Sequence, residues 1–267
     1  MGTTFWRTGA LAVAAGLLLA SAATAQKVSF KDQTGDDNGP GSYTYPTDAV
    51  YKRGSFDLSG LDVESKGGKV TFDVTLNSPL EDPWGMKTGF ALQMIFIFID
   101  TGPGGFTETV PGLNVKFDEA NAWDKLVILS PQPVGRVKDE ISSKIPADRA
   151  GSVLTPSRVK GTGRTISGTV EIEGDPSQWG YQVVVESNEG FPSGGDLLTR
   201  KVNEYEGQHR FGGGNDGDCD PHAIDILAGS GTGDASEAQA QHDMLKYECN
   251  PDGSAKTGAV LKMVKKS

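Results

Sequence analysis

The chain has 267 residues, and its 25 Lys and Arg against 35 Asp and Glu give a formal charge of −10 at pH 7. This balance argues against DNA or RNA as partners, because nucleic-acid affinity comes mostly from clustered cationic side chains. The 36 Gly and 14 Pro predict many turns, and the length suffices for one sizeable hydrophobic core. We therefore expect a single large, turn-rich domain.

Residues 1–25 have the layout of a secretory signal peptide. Arg7 lies in a short polar head, an apolar run covers 10–20, and small residues precede Gln26. The alternative is an uncleaved N-terminal anchor, although no stop-transfer segment follows. The pattern predicts a secreted, periplasmic or cell-surface protein that does not span the membrane after cleavage.

Most of the remaining chain has the periodicity of strands. Apolar and polar residues alternate at 69–76 and 165–172, and short β-branched runs occupy 125–129 and 181–186. The segment 90–99 is apolar on both faces, so we expect a central strand covered on both sides. These segments predict an all-β fold, an antiparallel β-sandwich of jelly-roll or immunoglobulin-like type with long loops.

Helical patterns occur only near the edges of the sequence. Residues 234–247 begin with candidate caps and carry Ala, Gln, Leu and Met, which predicts one short C-terminal helix. Residues 147–151 could form a single turn. No Ser- or Pro-rich linker divides the chain, so a two-domain organisation is not favoured.

Cys219 and Cys249 are the only cysteines. In an exported protein such a pair predicts a disulfide, and closing about thirty residues would stabilise the fold by roughly 3 to 4 kcal/mol. The alternative is two reduced thiols. A zinc site is not expected, because the chain lacks CxxC and a second Cys or His pair at ligand spacing.

Three stretches carry a recognisable pattern. The first is GDDNGPGSYTYP at 35–46, followed by GSFDL at 54–58. The second is PWG at 83–85, GFALQ at 89–93, IFID at 97–100, PGL at 111–113 and AW at 122–123. The third is FGGG at 211–214, Asp216 and DPHAIDIL at 220–227. Together they resemble the C-terminal module of glucodextranase, which is related to DOMON and family-9 carbohydrate-binding β-sandwiches.

This resemblance implies a non-catalytic β-sandwich over residues 26–230 that contacts carbohydrate or a cell-envelope polymer. An exported enzyme is a further partner that it implies. Residues 231–267 do not match the pattern, so we interpret them as a C-terminal extension tied back by the Cys219–Cys249 disulfide. No GxSxG or HExxH motif occurs, and no residue stands out as catalytic.

Two acidic, glycine-containing loops are candidate calcium sites, because Ca²⁺ prefers six to eight oxygen ligands. The candidate ligands are Asp32, Asp36 and Asp37 in the first loop, and Asp216, Asp218 and Asp220 in the second. Neither loop has the spacing of an EF-hand. For the first loop, the alternative is that its aspartates cap backbone N–H groups in an Asx-turn. For the second loop, the alternative is a solvent-exposed turn fixed by the Cys219 bridge, with Asp225 capping the following segment.

Aromatic residues in loops are candidates for stacking on sugar rings. We select Trp84, in the turn between Pro83 and Gly85, together with Tyr43, Tyr45 and Trp123. For any one of these rings, packing in the core is the alternative.

Two other functions are weighed against carbohydrate binding. Some DOMON relatives are haem-b electron-transfer subunits, but nothing here pairs a Met with a His at ligand spacing, so haem is not expected. A structural envelope protein that recognises another protein through a sheet edge is the second alternative.

Overall fold

A computed structural model describes residues 1–2, 25–188, 198–229 and 234–266, and of residues 234–236 it describes only the backbone. The predicted signal peptide lies almost wholly outside these ranges. None of the helices in the described ranges combines the length and apolar character needed to cross a bilayer.

The described chain contains fifteen strands and three α-helices. The strands are β1 Gln26–Lys31, β2 Leu58–Lys66, β3 Lys69–Leu76, β4 Gln93–Asp100, β5 Val115–Phe117, β6 Lys125–Leu129, β7 Val153–Leu154, β8 Val159–Thr162, β9 Thr165–Glu171, β10 Gly180–Ser187, β11 Asp225–Ile226, β12 Glu248–Cys249, β13 Ala255–Thr257, β14 Ala259–Leu261 and β15 Val264–Lys265. The helices are α1 Val134–Lys144, α2 Ala147–Ala150 and α3 Asp234–Met244.

One five-stranded antiparallel sheet has the order β1-β2-β3-β9-β8. Its strands alternate as the sequence predicts. In β3, Val70, Phe72, Val74 and Leu76 are fully buried, whereas the residues between them are partly exposed. The apolar face of this sheet therefore covers one side of the core, and its polar face meets solvent.

The second sheet has the order β11-β10-β4-β6-β7, and β15 adds to β10. Its pairs are antiparallel except for β6 with β7. Every residue of β4 and β10 is buried. The odd-numbered side chains of β4, such as Ile97, pack against the first sheet, whereas the even-numbered ones, such as Phe98, face a second hydrophobic cluster. The prediction of a central strand covered on both sides is confirmed.

The two packed sheets confirm the predicted all-β sandwich. The second cluster lies between the outer face of the second sheet and a layer built from α1, α3 and the parallel pair β5 and β14. Helix α1 was not expected from the sequence, although its buried Val137 and Ile141 have the helical spacing i, i+4.

The C-terminal segment is part of this fold. β14 pairs with β5 and β15 pairs with β10, so residues beyond 230 contribute strands to both the outer layer and the second sheet. Cys219 and Cys249 form the predicted disulfide, with their Cα atoms 5.6 Å apart.

Candidate metal centre and adjoining cleft

The acidic loop at residues 32–39 follows β1 and is held against the rest of the fold. The Gly39 N–H donates to the Ile224 carbonyl at 2.8 Å, and the Gly35 N–H donates to Asp57 Oδ2 at 2.9 Å. Gly39 has a φ of +59°, and a Cβ there would lie 2.3 Å from a ring carbon of Tyr43. The glycine therefore permits the close approach that fixes the loop.

Four acidic side chains meet beneath this loop, and we call them the carboxylate cage: Asp32, Asp36, Asp225 and Glu237. Asp32 follows β1, Asp36 lies in the loop, Asp225 begins β11 and Glu237 lies on α3. One oxygen each from Asp32, Asp36 and Asp225 lies within 4.8 Å of the other two. Glu237 is close enough for its charge to act on Asp32 and Asp36, and it accepts from the Gln33 N–H.

The cage is buried and its hydrogen-bonding capacity is largely unused. Asp36 is 3 % exposed and Glu237 is 6 % exposed. Neither carboxylate oxygen of Asp32 or Asp36 has a hydrogen-bond partner, nor does Glu237 Oε1. In the described part of the chain none of the four forms an ion pair with Lys or Arg. Buried carboxylates without partners or counter-charge are costly, so this arrangement calls for a proton or a cation.

Asp225 differs from the other members of the cage. Its two oxygens accept from the Leu58 N–H at 2.6 Å and from the Ile226 N–H at 2.8 Å. The neighbouring carboxylate Asp57 is also buried, and its Oδ2 accepts from Gly35 and from Asn77. These bonds fix Asp225 and Asp57 in place, whereas Asp32 and Asp36 have no such restraint.

Burial and mutual repulsion raise the pKa of these groups. Burial, followed by the charge of Glu237, raises the pKa of Asp36 to about 7. Burial and the charge of Asp225 raise the pKa of Asp32 well above its usual value, and burial together with the charge of Asp36 does the same for Asp225. Burial also raises the pKa of Asp57 to about 6. When its carboxylates are ionised, the cage is therefore a site of strongly negative electrostatic potential inside the protein.

The other predicted metal ligands do not join this cage. Asp37 points away and accepts from the Tyr45 hydroxyl. In the second loop, Asp216 accepts from the Glu204 N–H, and Asp218 pairs with Lys201. Of the described acidic residues, Cys and His, only Asp32, Asp36 and Asp225 converge closely enough to be recognised as a metal-binding group.

Asp220 is fully buried, and its Oδ2 lies 3.3 Å from the Tyr43 hydroxyl. The second loop thus distributes its aspartates among backbone, lysine and tyrosine partners. The alternative of a solvent-exposed turn does not describe Asp220, which is buried and whose Oδ1 has no hydrogen-bond partner.

A cleft of about 310 Å³ adjoins the acidic loop. Its lining combines three tyrosine rings with a carboxylate, an amide and a guanidinium: Gly35, Asp37, Asn38, Tyr43, Tyr45, Tyr51 and Arg53. The Tyr45 hydroxyl donates to Asp37 and accepts from the Phe56 N–H at 3.2 Å, which orients its ring. Such a combination can stack on a sugar ring and bind its hydroxyls.

Two of the predicted ligand-binding aromatics, Tyr43 and Tyr45, line this cleft. Tyr43 is only 5 % exposed and packs in the core, whereas Tyr45 is partly exposed and can be reached by a ligand. Trp84 is half-buried beside it, with its ring centroid 6.4 Å from that of Tyr51 and 6.3 Å from that of His209. Trp84 is therefore part of an aromatic cluster and not an isolated ring in a loop.

Trp123 must be reassigned from ligand binding to the core. It is 1 % exposed, and its ring packs against Phe98 and Phe106 with centroids 5.6 and 5.1 Å away. Its indole N–H donates to the Glu108 carbonyl at 3.1 Å. No ring face remains for a sugar, because the β5 layer and the outer face of the second sheet enclose it.

The sequence did not identify Glu237, Tyr51 or Arg53 as site residues, and it indicated Asp225 only as a capping residue. For Asp225 a signal exists: the acid stands between Ile224 and Ile226 in an otherwise apolar strand, where an unpaired charge would be costly. Glu237 carries no such signal, because α3 is polar along most of its length.

Comparison with known proteins gives one family. The profile of the C-terminal, SLH-like binding module of glucodextranase matches residues 28–263, nearly the whole chain. A search of the curated proteins finds no match to the chain. The matched range includes β14 and most of the C-terminal segment, in agreement with the strands that this segment contributes.

Proposed function

Because this chain belongs to the family of C-terminal, SLH-like binding modules of glucodextranase, we propose that it is an exported, non-catalytic module that binds carbohydrate or a cell-envelope polymer and is stabilised by calcium. Its ligand contacts the cleft beside the acidic loop. Export is supported by the pattern of residues 1–25, and an exported enzyme is a further candidate partner.

The observation that carries this proposal is the chemistry of the cleft. The partly exposed Tyr45 supplies aromatic surface, and Asp37, Asn38 and Arg53 supply acceptors and donors around the same 310 Å³. Sugars present apolar C–H faces and hydroxyl groups together, so a site for them needs both kinds of contact. The family match indicates the same class of ligand, since it describes a binding module of an enzyme that acts on a glucan.

The family match does not support the alternative of a haem-binding subunit. Met94, a methionine of the central strand β4 and a conceivable haem ligand by residue type, is 1 % exposed in the second hydrophobic cluster, among apolar side chains. The alternative of a structural envelope protein is an outcome of the binding experiment: capture of a protein by a chain that ignores every glycan would favour it.

The experiment is a binding panel with two arginine variants. The purified protein is tested against α-glucans, peptidoglycan and envelope polysaccharides by affinity electrophoresis and pull-down. Arg53→Ala should weaken binding about tenfold, which corresponds to the loss of one charge-assisted hydrogen bond. Arg158→Ala is the matched control, because Arg158 is also exposed but lines a different pocket.

Uniformly absent binding by the folded protein would overturn the proposal. Loss of binding in Arg158→Ala with retention in Arg53→Ala would move the ligand to the pocket beside α1, and the cleft assignment would then be wrong.

A further inference from the structure

We infer that one calcium ion binds in the carboxylate cage, coordinated by Asp32, Asp36, Asp225 and Glu237, and that it clamps helix α3 and the acidic loop onto the sandwich. This inference deepens the calcium part of the proposed function. It does not require that the cleft binds a sugar.

The evidence is more than a cluster of acidic residues. Asp36 and Glu237 are more than nine-tenths buried, and three of their four carboxylate oxygens have no hydrogen-bond partner. Asp32 adds two more unpartnered oxygens to the same space. These five buried oxygens lack hydrogen-bond partners, and one oxygen each of Asp32 and Asp36 lies within 4.8 Å of the other and of Asp225. A bound cation would supply the positive charge that the site lacks.

The chemistry of the donors selects calcium. All four side chains offer hard carboxylate oxygens, and no Cys or His belongs to the converging group, so the soft and nitrogen-preferring metals are disfavoured. Magnesium usually keeps several waters and takes one or two carboxylates, whereas calcium accepts many carboxylates in variable geometry. A formal charge of −4 from four side chains suits a divalent ion that can reach six or more oxygens.

The positions of the ligands explain what the ion does. Residues 32 and 36 lie near the start of the described fold, and residues 225 and 237 lie nearly two hundred positions later. Hydrogen bonds already join these segments: Gln241 of α3 donates to the Asp36 carbonyl at 2.5 Å and accepts from the Ile226 N–H at 3.1 Å. Glu237 accepts from the Gln33 N–H, and the Ala238 N–H donates to the Gln33 side chain at 3.4 Å. The cation would convert repulsion among four carboxylates into a cross-link between β1, the loop, β11 and α3.

The ion also influences the cleft. Asp36 faces the cage, and the next residue, Asp37, faces the cleft and accepts from Tyr45. A cation that fixes the Asp36 side of the loop therefore fixes the Asp37 side as well.

The test is calcium titration of the chelator-stripped, full-length protein by calorimetry, with variants that are nearly isosteric. Wild type should bind one calcium per chain. Asp36→Asn and Glu237→Gln should each weaken calcium binding by about tenfold or more, as loss of a metal-site side chain does. Asp216→Asn is the matched control, because Asp216 is an exposed aspartate of the second acidic loop, and it should bind calcium as wild type does.

Thermal melting distinguishes the loss of a calcium ligand from misfolding of the variant. In calcium-free buffer Asp36→Asn should melt at a higher temperature than wild type, because one of the mutually repelling charges is gone. With saturating calcium the order should reverse, because only wild type keeps the full ligand set. A variant that merely misfolds would melt lower in both conditions.

Absence of calcium binding by the stripped wild-type protein would overturn the inference. Binding that Asp216→Asn removes and Asp36→Asn retains would overturn it equally. Calcium binding by a protein that binds no glycan would support the metal centre and reject only the carbohydrate ligand. Failure of the calcium inference and failure of the proposed function are therefore distinguishable.

Discussion

Asp36 and Asp37 are adjacent in the sequence, yet their carboxylates serve different surroundings. Asp36 is buried in the cage without a hydrogen-bond partner, and Asp37 accepts from the Tyr45 hydroxyl in the cleft. The extended or turn geometry of a loop sends neighbouring side chains to opposite sides, so a single acidic loop can serve a metal on one side and a ligand on the other. The two residues are of the same type, so the difference between them lies in the direction in which their side chains point.

The raised pKa values predict how the calcium-free protein responds to pH. The folded pKa of Asp36 is about 7 and that of Asp57 about 6, both above the value of 3.8 that applies to an unfolded chain. The folded state thus holds protons that the unfolded state releases. Their stabilising contribution is complete at low pH and is lost as pH rises through the folded pKa.

We therefore expect chelator-treated protein to melt at a lower temperature at about pH 8 than at about pH 5.5. Saturating calcium should reduce this difference, because the cation replaces the protons. Differential scanning calorimetry with and without calcium measures both effects. A calcium-free protein that is more stable at the higher pH would contradict the account of the cage.

At the scale of elements, the strands carry the core, and β4 is central to it. Ile97 is fully buried and packs in the cluster between the two sheets. Ile97→Ala should lower the free energy of unfolding by about 2–5 kcal/mol, because it removes buried apolar volume and leaves a cavity. The exposed Lys160→Ala on β8 should change it by no more than about 0.5 kcal/mol. Denaturant unfolding that ranks the two variants equally would contradict this packing.

The disulfide ties the C-terminal segment to the loop that precedes β11. Its cysteines are 30 residues apart in the sequence. Replacing both by serine should cost roughly 3 to 4 kcal/mol, since the unfolded chain regains the freedom of that loop. Urea unfolding of the double variant, compared with reduced and oxidised wild type, measures the loss. Equal midpoints for all three would show that the cross-link does not stabilise the fold.

The elements also show how far the sequence alone can predict this structure. Alternation located the strands at 69–76 and 165–172, because each has one buried and one solvated face. The burial of β4 on both faces could also be predicted, because the segment 90–99 has apolar residues at both its odd and its even positions. The 11-residue helix α1 was missed because it buries only Val137 and Ile141, too few for a strong helical pattern.

The candidate site was predicted only in part, for a different reason. Asp32 and Asp36 belong to one loop and could be recognised by local spacing. Asp225 and Glu237 reach the same point through the pairing of β11 with β10 and the packing of α3, which local spacing does not encode. Only the assembled topology brings all four together.

At the scale of the whole molecule, the loops of one edge of the sandwich place the cage and the cleft side by side. The chain belongs to a family of binding modules, and we propose that the cleft is where its carbohydrate ligand binds. In this proposal the carboxylate cage and the core support that surface. The central claim therefore concerns the location of ligand binding.

The most direct test is NMR mapping of the calcium-loaded protein as a binding glycan from the panel is added. We expect saturable chemical-shift changes in the amides of residues 35–38, 43–45 and 51–53, which surround the cleft. Changes confined to residues 128–137 and 155–159, around the pocket beside α1, would contradict the cleft assignment. Unchanged spectra with every glycan would contradict the proposed function itself.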